Sequence, residues 1–428
     1  MHIQKEDTMG KVTIRNRNAG KFDKNGKRKP PNWEYRFETA PVDGRRRQKT
    51  KAGFRTQQEA YDAGNAAYAR YNASGRLFEP KDMSVSDYLD YWLEHAVKAN
   101  IGQGYAYNTW LDYERKIRIH LKPAFGRYRL SALQHSPDVI QHWIDQLKMS
   151  GLSRNMVSNT LSCLSAALGY AVIPLQYISV NPCLLVRIGR MPVDRKSQAH
   201  REYVCPPEEF SRILQRFPPG SSFYLPLMAG YHLGTRIGET YGIDLLSDPD
   251  LDRDELRIVH QLAKENGMWF YRTPKYDSCR TLKIGPTFRK ALKEELLTRK
   301  KQMMEYGPYY TKTYLLPDHS ILQCRADIPV PHQEIWPLSV KENGELLTPE
   351  TFKYCARVIH HELGNPMFHS HCLRHTHGTM LAEQGVNPKT IMERLGHKDI
   401  KTTLQVYTFN TDTMQQAAVD AFESVIRQ

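Results

Sequence analysis

The stretch His369–Tyr407, HSHCLRHTHGTMLAEQGVNPKTIMERLGHKDIKTTLQVY, gathers histidines, an arginine and a late tyrosine into fewer than forty residues, with helix signals between them. Gly385 reads as the C′ residue of one helix, and Asn387-Pro388 as N-cap and N1 of the next. His371, Arg374 and His375 stand at i, i+3 and i+4, so a helix puts them on one face. His397 follows Leu395-Gly396, and Tyr407 comes ten residues later. A guanidinium, imidazoles and a phenol together form a set that can attack a phosphodiester without a metal. A zinc site built on His369, His371, His375 and His377 is the competing reading, because histidines at i and i+4 are a metal-ligand spacing. The turn between His371 and His375 holds Cys372, Leu373 and Arg374, however, with no glutamate to act as base and a fixed cation that repels a divalent ion. Taken singly, Tyr407 is one of 24 tyrosines, and His375 and His377 read as structural helix-face histidines.

The pattern H-x-x-R, then L-G-H, then Y resembles the C-terminal signature of the tyrosine recombinases, the phage-integrase family. Two upstream elements occur in that family's order. Gly234-Thr235-Arg236-Ile237-Gly238-Glu239 resembles its first arginine box. Thr273-Pro274-Lys275, with Arg280-Thr281-Leu282 behind it, resembles the hairpin that carries its lysine. The likeness covers roughly residues 84 to 428. It implies a site-specific DNA recombinase in which Tyr407 attacks a backbone phosphorus, leaving a 3′-phosphotyrosine and a 5′-hydroxyl. Arg236 and Arg374 would grip the non-bridging oxygens, and Lys275 would protonate the leaving oxygen. His371 would assist the tyrosine, His397 would hydrogen-bond the phosphoryl group, and Glu239 would orient its neighbours. Neither a metal nor another cofactor is implied. The implied partner is double-stranded DNA at core and arm-type sites, bound by a homotetramer on paired sites, with host DNA-bending or excision factors as further partners. The implied setting is the bacterial cytoplasm, beside the nucleoid. One departure is visible: Phe409 stands where many members have a histidine. A type IB topoisomerase would share the same residues, and a DNA-binding regulator would lack the chemistry.

Composition agrees. The 428 residues carry 60 Lys/Arg against 46 Asp/Glu, a net of +14 that suits a polyanionic partner. Forty per cent hydrophobic and 25% charged residues are ordinary for globular domains, and the length predicts two or three of them. No apolar run approaches a membrane span, and the first residues hold no apolar signal segment. Seven scattered cysteines without a CxxC pair fit a reduced, cytosolic chain.

The expected fold is multidomain and mainly α with α+β parts. Residues 1–75 read as a three-stranded sheet plus helix, resembling an arm-type DNA-binding domain. The first 55 residues hold sixteen Lys/Arg against six Asp/Glu, a net of +10, interleaved with Trp33, Tyr35, Phe37 and Phe54. Arg36, Arg45, Arg46, Arg47 and Lys49 are its candidate DNA contacts, with Arg36 expected on the aromatic face. Residues 82–186 read as a core-binding domain of four helices, opened by a Ser84/Asp87 capping box. Its second helix is expected to stop before Pro123. Lys98, Arg115, Lys116, Arg118 and Arg154 are candidate phosphate contacts there. Residues 187–202 read as a basic linker that tracks DNA through Arg187, Arg190, Arg195 and Lys196. Residues 203–428 form the mixed α/β catalytic domain, with strands around Lys275 and a final amphipathic helix. The segment 303–347 shows no clear pattern.

Overall fold

The computed structural model describes residues 12–42, 45–74, 83–192, 203–407 and 412–426, and the chain falls into two compact units, 1–191 and 192–428. No described helix is long and apolar enough to cross a membrane.

The first unit begins with the expected antiparallel sheet, β1 (Val12–Asn16), β2 (Trp33–Val42) and β3 (Arg45–Phe54), in the order β1-β2-β3. Helix α1 (Gln57–Ser74) covers one face, and its start is fixed reciprocally. Thr56 Oγ1 accepts the Glu59 N–H (3.1 Å), and Glu59 Oε2 accepts the Thr56 N–H (3.3 Å). Val12, Tyr35 and Phe37 are buried beneath it. A Cβ on Gly64 would stand 2.7 Å from Val12 Cγ1, so glycine there permits the close approach of helix to sheet. Strand alternation puts Arg36 on the opposite face from these aromatics, beside Glu34 at 3.6 Å. The expected aromatic DNA face is therefore the core instead. Lys49 pairs in register with Phe37, so it belongs to the helix-covered face and not to that of Arg36. The side chains of Arg45, Arg46 and Arg47 lie outside the described residues.

The helical domain of this unit starts at α2 (Val85–Trp92), where Ser84 Oγ accepts the Asp87 N–H at 3.0 Å. A π turn, Leu93–Val97, extends it. Helix α3 (Tyr107–Lys116) does not stop before Pro123: a second π turn, Ile117–Leu121, carries the chain into α4 (Lys122–Phe125). The Lys122 N–H reaches back five residues to the Ile117 carbonyl. That wider turn lets the chain pass a ring that cannot donate and would crowd an i−4 carbonyl. After the short α5 (Leu130–Leu133), α6 (Pro137–Met149) and α7 (Arg154–Val172) close the core around Leu89, Trp92, Leu121, Ile144 and Leu164. Lys116 is buried with its ammonium on Asp112, which removes it from the candidate phosphate contacts. Arg115, Arg118 and Arg154 are exposed, Arg118 pairing with Glu114 at 3.1 Å.

The expected linker starts later than the sequence suggested. Val186, Ile188 and Met191 pack on the helical core, and Arg187 exchanges two hydrogen bonds with the Gln141 side chain (2.9 and 3.0 Å). Arg187 and Arg190 are exposed on this packed segment, while Arg195 and Lys196 lie outside the described residues.

The second unit is organised around α9 (Tyr224–Leu233), buried along nearly its whole length after α8 (Pro207–Arg216). Gly230 lets α13 (Ser370–Glu383) close on it, since a Cβ there would meet Leu373 Cδ1 at 2.8 Å. The short α10 (Ile237–Tyr241) leads to two small sheets. One is β4 (Pro249–Asp250), β5 (Glu255–Ile258) and β8 (Arg280–Lys283); the other is the hairpin β6 (Gln261–Glu265) and β7 (Met268–Arg272). The sequence reading missed the 21-residue α11 (Pro286–Tyr306) and the structure of 303–347. Buried Arg299 of α11 donates to the Pro337 and Leu338 carbonyls (2.6 and 3.2 Å). Strands β9 (Thr311–Leu315), β10 (Ile321–Arg325) and β11 (Gln333–Ile335) form an antiparallel sheet in the order β10-β9-β11. Helix α12 (Phe352–Glu362) precedes α13, followed by α14 (Pro388–Leu395), α15 (Ile400–Tyr407) and α16 (Asp412–Ile426).

Candidate active site

The quoted stretch folds as its punctuation predicts. Gly385 lies one residue beyond the C-cap of α13 at φ +71°, and Asn387 Oδ1 caps α14 by accepting the Lys389 N–H at 2.8 Å. Helix α13 has an N-cap that the sequence did not announce: His369 Nδ1 accepts the Cys372 N–H (3.1 Å).

The arginine box works as a hinge of caps. Gly234 ends α9 at φ +65°, and a Cβ there would overlap Leu395 Cδ2 at 2.6 Å. Arg236 is then the N-cap of α10, and Glu239, three residues on, turns back to accept its backbone N–H at 3.0 Å. The same carboxylate, fully buried, accepts Arg236 Nη1 at 2.6 Å and Arg280 Nη2 at 2.8 Å. Burial alone would raise the Glu239 carboxyl. The Arg280 hydrogen bond and charge, with the Arg236 N–H and charge, outweigh it and hold the group below its ordinary value.

Each guanidinium is further anchored to backbone. Arg236 Nη2 donates to the Gly396 carbonyl (3.0 Å), Arg280 Nε to the Arg394 carbonyl (2.8 Å), and Arg374 Nη1 to the Gly234 carbonyl (2.7 Å). The left-handed Gly396 (φ +65°) thereby joins the two arginine boxes, and a Cβ on it would meet Arg280 Nη1 at 2.8 Å. Arg374 is 2% exposed, and its Nη2 is buried without a partner among the described residues. Burial, then the nearby charge of Arg236, presses its guanidinium down to about 9. Arg236, Arg280 and Arg374 oppose the single carboxylate of Glu239, three charges to one, so the cluster is short of negative charge.

The histidines divide by role. His377 Nδ1 donates to the Tyr231 carbonyl (2.9 Å) while Nε2 accepts Arg394 Nε (2.9 Å), which fixes a neutral ring. Burial and the Arg394 charge push it to about 3, and the structural reading of this residue holds. With both ring nitrogens engaged it has no lone pair for a metal, and no group of His, Cys, Asp or Glu among the described residues is arranged to hold one. His397 is half-buried, with Nδ1 against Thr403 Oγ1 at 2.9 Å; burial, then Arg374 and Arg236, push it to about 3. His371 lies at the open rim, and desolvation followed by the charge of Arg374 lowers it as well.

Lys275 follows β7 and the buried Pro274, with its side chain exposed and in no hydrogen bond or ion pair among the described residues. Three residues on, Ser278 Oγ stands 3.5 Å from Arg236 Nη1, which ties this turn to the arginine cluster. Tyr407 is the last residue of α15, a helix packed on α13 and α14; its side chain and Phe409 lie outside the described residues. Arg280 and Arg394 are site residues to which the sequence reading gave no role. A single arginine in a short strand or a helix reads as solvent-facing, and only packing shows both guanidiniums turned inward.

Residues 207–414 match the phage integrase family, residues 84–148 the N-terminal SAM-like domain of phage integrases, and residues 21–65 an arm DNA-binding domain. The chain is a tyrosine recombinase of the phage-integrase family. Among similar proteins, a XerC-like tyrosine recombinase of Caldanaerobacter subterraneus is 23% identical over 383 residues, 87% of this chain and 90% of its own. The ICEBs1 integrase of Bacillus subtilis is 25% identical over 325 residues, 74% of this chain and 78% of its own. The fold is shared with the Tn1549 transposon integrase, solved in complex with transposon right end DNA, at a TM-score of 0.57 and 20% identity. That likeness covers 79% of this recombinase and 99% of the solved chain. The recombinase is thus a site-specific integrase of the mobile-element type, and relatives of this kind do not favour the topoisomerase alternative.

Proposed function

We propose that this recombinase cuts DNA by transesterification at the arginine cluster, with Tyr407 as nucleophile and a 3′-phosphotyrosine as the intermediate. The observation that supports this reading is the buried Nη2 of Arg374, without a partner among the described residues, in a cluster short of negative charge. A buried donor without a partner is costly, and a phosphate oxygen supplies the partner. Arg236 and Arg374 hold the non-bridging oxygens and stabilise the charge that grows on them in the transition state. Glu239 and the Gly396 carbonyl hold Arg236 in place beforehand, so little reorganisation is needed during reaction. A phenol ordinarily ionises near 10. The same cations favour its phenolate form as it approaches the phosphorus.

His397, kept neutral in the free enzyme by burial and then by the neighbouring charges of Arg374 and Arg236, gains a proton more readily once a phosphate neutralises those charges. It donates to the phosphoryl group, while His371 at the rim assists proton transfer at the tyrosine. Lys275 protonates the leaving 5′-oxygen. The phosphotyrosine conserves the phosphodiester, so rejoining needs no further energy source. Recombination then requires a tetramer on two paired sites. The apolar side chains Val419, Phe422 and Ile426, all exposed on α16, are suited to contact a neighbouring copy. The basic sheet domain binds a separate arm-type site, and accessory DNA-bending proteins would act on the intervening DNA.

The test is a nicked suicide substrate whose 5′-fragment diffuses away. Wild type should accumulate a covalent DNA adduct. Tyr407→Phe should bind DNA normally and form none; adduct at the wild-type level in that variant refutes the assignment.

A further inference from the structure

The segment 303–347, which had no account in the sequence, touches the strand that delivers Lys275. Between β9 and β10 the chain turns at Pro317-Asp318-His319-Ser320. The His319 carbonyl accepts the Tyr271 N–H of β7 at 2.9 Å, and Ser320 forms an antiparallel bridge with Phe270. Asp318 Oδ1 shapes the turn by accepting the N–H and hydroxyl of Ser320 (2.9 and 2.6 Å). His319 itself adopts φ +65°, a left-handed conformation few side chains favour. Buried Tyr271 is four residues before Lys275, separated from it by Arg272, Thr273 and Pro274.

The Lys275 turn needs such support. Tyr276 and Asp277, directly after the lysine, are consecutive non-glycine residues at φ +63° and +53°. Strained turns of this kind persist only when their surroundings over-determine them. On the far side the chain is held by Arg280, which donates to the Ser278 carbonyl at 3.1 Å, and by Ser278 against Arg236. On the near side Gln261 Nε2 grips the Thr273 carbonyl at 2.8 Å, and the 317–320 turn grips β7.

We infer that the 317–320 turn is a positioning device: it clamps β7 so that the strained turn presents the Lys275 ammonium at the leaving oxygen. His319, through its carbonyl, is therefore a positioning residue, and Lys275 is the group that acts. The inference rests on the acid role proposed above for Lys275.

His319 is exposed, so it can be changed without opening the core. His319→Val should drive the turn out of its left-handed conformation, because a β-branched residue is an outlier there; His319→Gly should preserve it. Single-turnover cleavage is compared at saturating enzyme on an ordinary substrate and on one whose 5′-bridging oxygen is sulfur, since a thiolate leaves without a proton. Loss of a positioned general acid costs about a hundredfold or more. His319→Val should lose at least about tenfold on the oxygen substrate, cleave the sulfur substrate at the wild-type rate, and cause no further loss when combined with Lys275→Ala. His319→Gly should match wild type on both. Equal loss on both substrates would make the turn merely structural and overturn the inference, as would no loss on either. Lys275→Ala alone tests the underlying role: without rescue by sulfur, the acid assignment itself fails, whatever His319 does.

Discussion

Replacing Glu239 by glutamine keeps the shape of the carboxylate shared by Arg236 and Arg280 and removes its charge. In the folded protein that carboxylate is fully buried and accepts three hydrogen bonds, two of them from the guanidiniums of Arg236 and Arg280. An amide retains one acceptor oxygen but presents donors where the second stood, so at least one buried arginine loses its partner. Removing one member of a buried ion pair costs about 3–5 kcal/mol, and the retained acceptor puts this case at about 3 kcal/mol. For a unit of this size that corresponds to a fall in melting temperature of roughly 6–12 °C at pH 7. The pH dependence follows from the lowered carboxyl. Its stabilisation is present above the unfolded-state value of about 4.3 and is lost as pH falls through the lower folded value. The gap between wild type and Glu239→Gln should accordingly be full at pH 7 and narrow below about pH 4. Thermal unfolding of both proteins at a series of pH values measures it directly. A shift under about 2 °C at pH 7, or a gap that stays constant into acid, would show that the carboxylate is not the keystone described.

Arg374→Ala and Arg236→Ala should each slow covalent cleavage about a hundredfold or more, as loss of a preorganised contact to developing charge does; a change under tenfold would place the phosphate elsewhere. Inorganic phosphate should raise the wild-type melting temperature, and Arg374→Ala should largely abolish that response, which thermal shift with a phosphate titration checks. The depressed histidines predict stability that is full above pH 6.5 and falls below it, because the unfolded chain takes up protons that His377 and His397 refuse until about pH 3; His377→Gln should flatten that slope in pH-dependent unfolding. Deleting 412–426 should weaken pairing of two sites more than binding to one, read by gel shift; equal losses would assign α16 to its own domain's core. A fragment beginning near residue 81 should still form the adduct on a short core duplex, and its failure would join the N-terminal sheet to the core clamp.

Local sequence determined much of this protein. Capping chemistry set the starts of α1, α2 and α14 through Thr56, Ser84 and Asn387, and Gly385 marked where the chain turns left-handed after α13, because these choices depend on a few neighbouring residues. The spacing of Arg236, Arg374, His397 and Tyr407 carried the family likeness for the same reason: it is a linear pattern. Tertiary structure decided which charges face inward. Arg280 and Arg394 look like any solvated arginine until β8 and α14 bring their guanidiniums to Glu239 and His377. Lys116 looks like a phosphate contact until packing buries it on Asp112. Pro123 looks like a helix end until the π turn before it carries the chain past. The clamp of the 317–320 turn on β7 joins residues nearly fifty positions apart through backbone groups, and backbone groups leave no mark in a sequence.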